Sequence, residues 1–270
     1  MLKKLFNIYI KEYVSLNGTL KMALAVFLIT LIMYFNYSSN NHSECNSGFS
    51  FSGINTSVQS INKSNTIVWQ LPVKGKKVIA LTFDDGPTPG YTDKILKILR
   101  KYDVKATFFV IGSKAQKYPN LVRREANYGH EIANHTYTHP KISKLSFKAY
   151  KTEMKKTQNV VKKITGRTPV LMRPPYGDLN ENAVRNTQIM GFKMILWSWD
   201  QDTRDWSHPG VNAIINKVLN NASCGDIVLF HDSSTTMGQT ASALETIIPE
   251  LKRKGFSFVT VSELIKLKGQ

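Results

Sequence analysis

Cysteine is nearly absent. The 270 residues hold two, Cys45 and Cys224, with no Cys-x-x-Cys pair and no Cys/His cluster. That excludes a disulfide-framed small domain and a thiolate metal site, so any bound metal must draw on histidine and carboxylate. The two cysteines lie in stretches of unlike character, and the simplest reading is two free thiols. Acids are scarce too: 19 against 36 Lys and Arg, a formal net charge of +17. Such a balance favours work near polyanions, whether nucleic acid, anionic lipid or cell-wall polymer. Yet the basic residues are scattered as pairs such as Lys76-Lys77, Arg123-Arg124 and Lys162-Lys163. No recognition helix or aromatic-basic module accompanies them, so nucleic acid is not expected as a partner. There is no internal repeat, and a hydrophobic content of 42% suffices for one substantial domain with appendages.

Long apolar runs are missing, with one exception. Met22 to Phe35, MALAVFLITLIMYF, is a 14-residue run whose one polar member is Thr30. Leu20 and Tyr37 extend it toward spanning length, and Lys21 can snorkel to the interface. Lys3, Lys4, Lys11 and Lys21 precede it against one acid, Glu12, which keeps residues 1–21 cytoplasmic and exports the chain beyond Tyr37. No small-x-small cleavage pattern is present in YFNYSSNN, so the reading is an uncleaved transmembrane signal anchor over 22–37 rather than a cleaved signal peptide that would leave a secreted protein. Residues 38–75 turn to Ser, Asn and Gly, a composition that cannot offset chain entropy by burial and reads as a flexible linker. Near its end, Thr66-Ile67-Val68-Trp69 reads as a short edge strand.

From Lys76 onward the pattern is α/β. Apolar, β-rich runs at 78–83, 106–111, 193–199, 226–230 and 256–261 alternate with amphipathic stretches at 92–101, 119–128, 147–165, 180–190, 210–221 and 241–254. Such alternation means a mostly parallel sheet with helical crossovers, open or rolled into a barrel. Each cluster of chemically active residues falls at or just after the end of a strand-like run, where α/β barrels build their sites.

LTFDDGP at 81–87 places two carboxylates at the mouth of the first such run. Side chains alternate across a strand, so Asp84 and Asp85 point in different directions and can hold different jobs. HTYTH at 135–139 spaces two histidines at i and i+4, which on a helical turn would bring both imidazoles to one face. Thr136 stands where the HExxH protease motif has its Glu, so the carboxylate and the base must come from elsewhere. One of the two aspartates supplies a third metal ligand, leaving positions open for water and substrate, and the other is free to take a proton.

Five clusters occur in order: Thr82-Phe83-Asp84-Asp85-Gly86-Pro87, His135 to His139, Arg173-Pro-Pro-Tyr-Gly177, Asp202-Thr-Arg-Asp205-Trp206 and Leu229-Phe-His231. Together they resemble the five motifs of the polysaccharide deacetylase (NodB-homology) family, carbohydrate esterase family four, over residues 76–267. The resemblance implies a distorted (β/α) barrel with fewer than eight units. It implies Asp84 as general base, Asp85, His135 and His139 as metal ligands, and His231 as general acid. It further implies Arg173 as the charge partner that tunes the base, the Tyr176 N–H as oxyanion donor, Asp205 as the group that orients His231, and Trp206 and Leu229 as walls of the acetyl pocket. One divalent ion is implied; zinc suits the ligand set best, with cobalt, nickel, iron and manganese able to occupy similar sites. The implied activity is N-deacetylation of an exported glycan, with peptidoglycan N-acetylglucosamine favoured. Chitooligosaccharides, acetylxylan O-esters and a catalytically weak glycan-binding protein are the alternatives. Asp232, adjacent to His231, reads as a rim residue with no assigned role, and Asn180 reads as a helix cap.

Overall fold

Val78–Asp84, the apolar run before the paired aspartates, forms strand β2, and all seven of its residues are buried. The protein is described here by a computed structural model covering residues 66–269. The expected anchor at 22–37 and the expected linker up to residue 65 lie outside the described residues; residues 66–75 are not linker but part of the fold, Ile67 and Val68 pairing in parallel with Met194 and Ile195. Among the described residues no helix is long and apolar enough to cross a membrane.

A strand buried on both faces belongs inside a parallel sheet covered by helices. β2 is that strand. It pairs in parallel with β3 (Thr107–Val110) on one side and β7 (Asp226–His231) on the other. The remaining strands are β1 (Ile67–Val68), β4 (Glu131–Asn134), β5 (Leu171–Met172), β6 (Lys193–Ile195) and β8 (Ser257–Phe258). Every pairing is parallel; the order is β1-β6-β5-β4-β3-β2-β7, with β8 added against β2. The result is a curled, open half-barrel. Between its two end strands, the segment after β6 turns toward β7, where Ser198 N donates to Ile227 O at 3.0 Å and Asp202 bridges Leu229.

Alternation along β2 sorts its side chains. Ile79, Leu81 and Phe83 join the large core beneath the helices, where Phe83 stacks on Phe108 and Phe230 with ring centroids 5.0 and 5.6 Å apart. Thr82 and Asp84 point the other way, and both bond one guanidinium, that of Arg173. Helices cover the sheet: α1 (Tyr91–Lys101), α2 (Gly112–Lys117), α3 (Pro119–Asn127), α4 (Phe147–Thr165), α5 (Glu181–Ile189), α6 (Val211–Asn221), α7 (Gln239–Arg253) and α8 (Val261–Lys268). Side chains cap the starts of three of them. Ser146 Oγ accepts from Ala149 N at the start of α4, Asn180 Oδ1 accepts from Ala183 N at the start of α5 as its sequence suggests, and Thr260 with Glu263 forms a capping box on α8.

Several expectations need correction. β4 and β5 lie outside the β-rich runs because EIAN is half polar and β5 is only two residues long, too little for an alternating signal. The run at 256–261 is split: two residues form β8 and Val261 opens α8. HTYTH forms a loop and not a helical turn. Cys224 is disulfide-bonded rather than a free thiol, its partner lying outside the described residues. Asp232 is 1% exposed, a buried residue and not one of the rim.

Candidate active site

The C-terminal ends of the central strands bring the motif residues together. Asp84 is the last residue of β2 and pairs in register with His231, the last of β7. Its carboxylate is buried, and Oδ1 accepts from Arg173 Nη1 at 2.8 Å. Arg173 is fully enclosed and engages all three guanidinium nitrogens: Nη1 also donates to Thr82 Oγ1 at 2.8 Å, Nη2 to Leu196 O at 2.8 Å and Nε to Ile195 O at 3.2 Å. A buried charge survives when it is paired and well hydrogen-bonded, and here every guanidinium nitrogen donates at least once. The Arg173 side chain is therefore a fixed cationic floor beneath Asp84.

Asp85 comes next, in the left-handed region with φ 73°, a conformation that costs a non-glycine residue about 1–3 kcal/mol. The turn swings its carboxylate out of the strand's alternation and toward two imidazoles. Asp85 Oδ1 lies 3.1 Å from His139 Nε2 and 3.4 Å from His135 Nε2, and the two nitrogens are 3.2 Å apart. The other Asp84 oxygen, Oδ2, stands 3.9 Å from His135 Nε2.

The two histidines reach this point by a loop rather than by a helical turn. His135 comes directly after β4; Thr136 and His139 both adopt positive φ, 63° and 64°. Side chains impose that path. Asn134 Oδ1 accepts from Thr136 N at 2.9 Å, Thr136 Oγ1 accepts from His139 N at 3.1 Å, and Glu153 Oε2, on α4, accepts from Tyr137 N and Thr138 N at 2.8 and 2.7 Å. The i,i+4 spacing is thus met by a looped backbone that the helical reading of the sequence does not describe.

The family resemblance implies a divalent ion, and the donor set fits one. His135 Nδ1 donates to Arg173 O at 2.8 Å, which leaves Nε2 as a lone-pair donor, the usual outer contact of a metal-binding imidazole. Asp85 Oδ1 is buried and makes no hydrogen bond. All three donor atoms lie within 4.8 Å of one another. Ligands about 2.0–2.1 Å from a tetrahedral zinc stand roughly 3.3 Å apart, and the three separations of 3.1, 3.2 and 3.4 Å match that edge. Burial acts to raise the Asp85 carboxyl, but the adjoining imidazoles of His135 and His139 outweigh it and hold the group well below the usual carboxylate range.

His231 is the opposite case. Burial would lower it, but Asp205 Oδ1 accepts from His231 Nδ1 at 2.7 Å, and with the fields of Asp84 and Asp85 this pushes the imidazole up to about 9. Asp205 is fully buried; its Oδ2 accepts from His231 N at 2.8 Å and from Thr240 Oγ1. The ring is therefore held at Nδ1, leaving Nε2 as its free nitrogen.

Tyr176 takes φ 62° between Pro175 and Gly177, and its exposed ring meets His139 edge-on at 4.5 Å. Trp206, half exposed, adjoins Asp205 in the chain, whereas Leu229 is buried within β7. All ten residues singled out by their motifs thus lie on the C-terminal halves of strands or on the loops just beyond them. Sequence reasoning missed Glu153 and Thr240, which orient the histidine loop and Asp205 from α4 and α7; neither sits in a motif.

Known proteins resemble this chain in sequence and in fold. The sequence profile of the family described as polysaccharide deacetylase matches residues 72–195. A peptidoglycan-N-acetylglucosamine deacetylase of Bacillus cereus is 44% identical over 202 residues, 75% of this chain and 94% of that protein. The solved structure of the Bc1960 peptidoglycan N-acetylglucosamine deacetylase, bound to an N-oxidanyl-benzamide, is 38% identical with a TM-score of 0.70, covering 74% of this chain and 92% of that one. A pseudoenzyme of the same esterase family from Bacillus anthracis is 30% identical with a TM-score of 0.67, covering 74% and 68% of the two chains.

Proposed function

Because the chain belongs to the polysaccharide deacetylase (NodB-homology) family, carbohydrate esterase family four, we propose that it is a metal-dependent N-deacetylase that removes acetyl groups from N-acetylglucosamine residues of peptidoglycan. One observation carries the reading: Asp85, His135 and His139 converge at ligand spacing while Asp84 stands beside them, unshared and fixed by Arg173. A pseudoenzyme is known in the family, but a complete ligand set beside an intact base and acid favours the enzyme.

Asp85, His135 and His139 would hold one divalent ion, zinc being best suited to two imidazoles and one carboxylate. Once bound, the ion supplies Lewis-acid polarisation of the acetamide carbonyl and of the attacking water. Asp84 accepts the proton of that water as its oxygen joins the carbonyl carbon. The Tyr176 N–H donates to the carbonyl oxygen as it gains negative charge. His231, charged and held by Asp205, gives its proton to the amide nitrogen as the C–N bond breaks. Acetate and a free amine result. Trp206 and Leu229 enclose the acetyl group.

The test is acetate release and product mass on peptidoglycan, chitooligosaccharides and acetylxylan. Greatest kcat/KM on peptidoglycan supports the reading; activity confined to acetylxylan would replace it with O-ester hydrolysis. The same proposal assigns residues 1–21 to the cytoplasm, 22–37 to a membrane anchor and the stretch from 38 up to the described fold at Thr66 to a linker, with the catalytic domain outside. A membrane-bound protein still beginning near Met1 supports the anchor, and a mature protein lacking residues 1–37 would overturn it.

A further inference from the structure

Asp85 presents its carboxylate to the two imidazoles through a left-handed backbone, and an isolated turn would not keep that conformation. Three elements meet around it. Lys114 of α2 directs its ammonium inward, and Nζ donates to the Asp85 carbonyl at 2.7 Å. A lysine ordinarily keeps its head in water; here it is bound to main chain beneath a metal ligand. The start of α2 also contributes, since Ile111 N donates to Gly86 O at 3.0 Å.

The other side of the turn rests on Asp232. Its N–H donates to Asp84 O at 3.1 Å, and its Oδ2 accepts from Thr92 Oγ1 at 2.5 Å at the N-terminal end of α1. Thr92 Oγ1 in turn accepts from Thr88 N at 2.7 Å, just past the turn. The fit is tight: a Cβ at Gly86 would lie 2.0 and 2.2 Å from the two Asp232 carboxylate oxygens. Gly86 itself is not in the positive-φ region. It is glycine for want of space, and Asp232 fills that space.

We infer that Lys114 and Asp232 are positioning residues that clamp the Asp85-Gly86 turn between α2 and the residue just past β7 and thereby set the affinity of the three-ligand site for its cation, an inference that rests on the proposed metal site. Neither residue touches substrate or cation. Lys114 acts on the Asp85 backbone by donating to its carbonyl, and Asp232 acts on the residues either side, holding Asp84 O and filling the space into which Gly86 would relax.

The experiment is zinc affinity of the full-length protein by chelator competition, with thermal unfolding of the metal-free protein measured alongside. Lys114→Met keeps the stem and removes the donor; Lys114→Arg restores a donor; Asp232→Ala opens the space under Gly86. Losses of roughly 10- to 100-fold in zinc affinity are expected for Lys114→Met and Asp232→Ala, the range typical of residues that orient metal ligands. Metal-free unfolding of Lys114→Met should stay close to wild type, and Lys114→Arg should recover most of the affinity. His135→Ala is the control. If it loses zinc while Lys114→Met binds as wild type does, the clamp is refuted and the metal site stands. If wild type and His135→Ala bind zinc equally, the metal site itself is wrong and the clamp falls with it. Should Asp232→Ala fail to fold, the two Lys114 variants decide.

Discussion

Asp84 and His231 are register partners at the C-terminal ends of two hydrogen-bonded parallel strands. Residues paired in this way project to the same face of a sheet, with strand axes about 4.8 Å apart. Proposed base and proposed acid are therefore set side by side by main-chain hydrogen bonds, and differ only in what each is bonded to: a guanidinium for Asp84, a carboxylate for His231.

That difference predicts a pH profile. His231 is raised to about 9, and the largest opposing influence to burial is Asp205. A raised base stays protonated below its folded value, so the acid-form imidazole is present up to about pH 9 and is lost above it. In Asp205→Asn the alkaline limb of kcat/KM should move toward the ordinary histidine value of about 6.5. An unmoved limb would assign it to another group.

Ligand and base separate by metal content. His135→Ala and Asp85→Ala should lose both bound ion and acetate release. Asp84→Asn should keep the ion while turnover falls by about 10²–10⁴-fold. Metal analysis on the purified variants checks this, and loss of ion from Asp84→Asn would mean the two aspartates exchange roles.

Arg173 is a matter of stability as well as chemistry. Removing one member of a buried ion pair typically costs about 3–5 kcal/mol, because the other is left charged and unpaired. Arg173→Met should reduce the unfolding free energy by about that amount in urea titrations. Arg173→Lys should recover little, since one ammonium cannot reach the four acceptors that the guanidinium now serves.

Glu125 offers a test away from the site. It is fully buried, neither carboxylate oxygen has a hydrogen-bond partner, and burial, with the nearby Asp232, raises it well above its usual range. The folded state keeps a proton that the unfolded chain releases, so stability is full below the unfolded value and declines as pH rises toward the folded one. Glu125→Gln should show a smaller loss of Tm than wild type as pH rises above the ordinary glutamate value of about 4.3. Equal slopes would mean that Glu125 is not held protonated.

Much of this was legible in the sequence because the relevant interactions are local or periodic. Val78–Asp84 is apolar on both faces, and α4 begins and ends at the residues its amphipathic pattern marks, 147 and 165. The site was legible because its residues cluster in short motifs. The hidden parts depend on distant partners. HTYTH suggests a helix until Glu153, on another element, binds the amides of Tyr137 and Thr138. Asp232 looks like an exposed neighbour of His231 until the fold packs it under Gly86. β5 is a strand because β4 and β6 flank it, not because two residues prefer to be extended.

The chain enters the described fold at Thr66, at the N-terminal end of β1, and β1 runs parallel to its neighbour as every strand does. Chain entry and the candidate active site thus occupy opposite poles of one set of strands. The disulfide at Cys224, just before β7, adds a covalent hold at the same pole as Thr66, on the very strand that ends in His231.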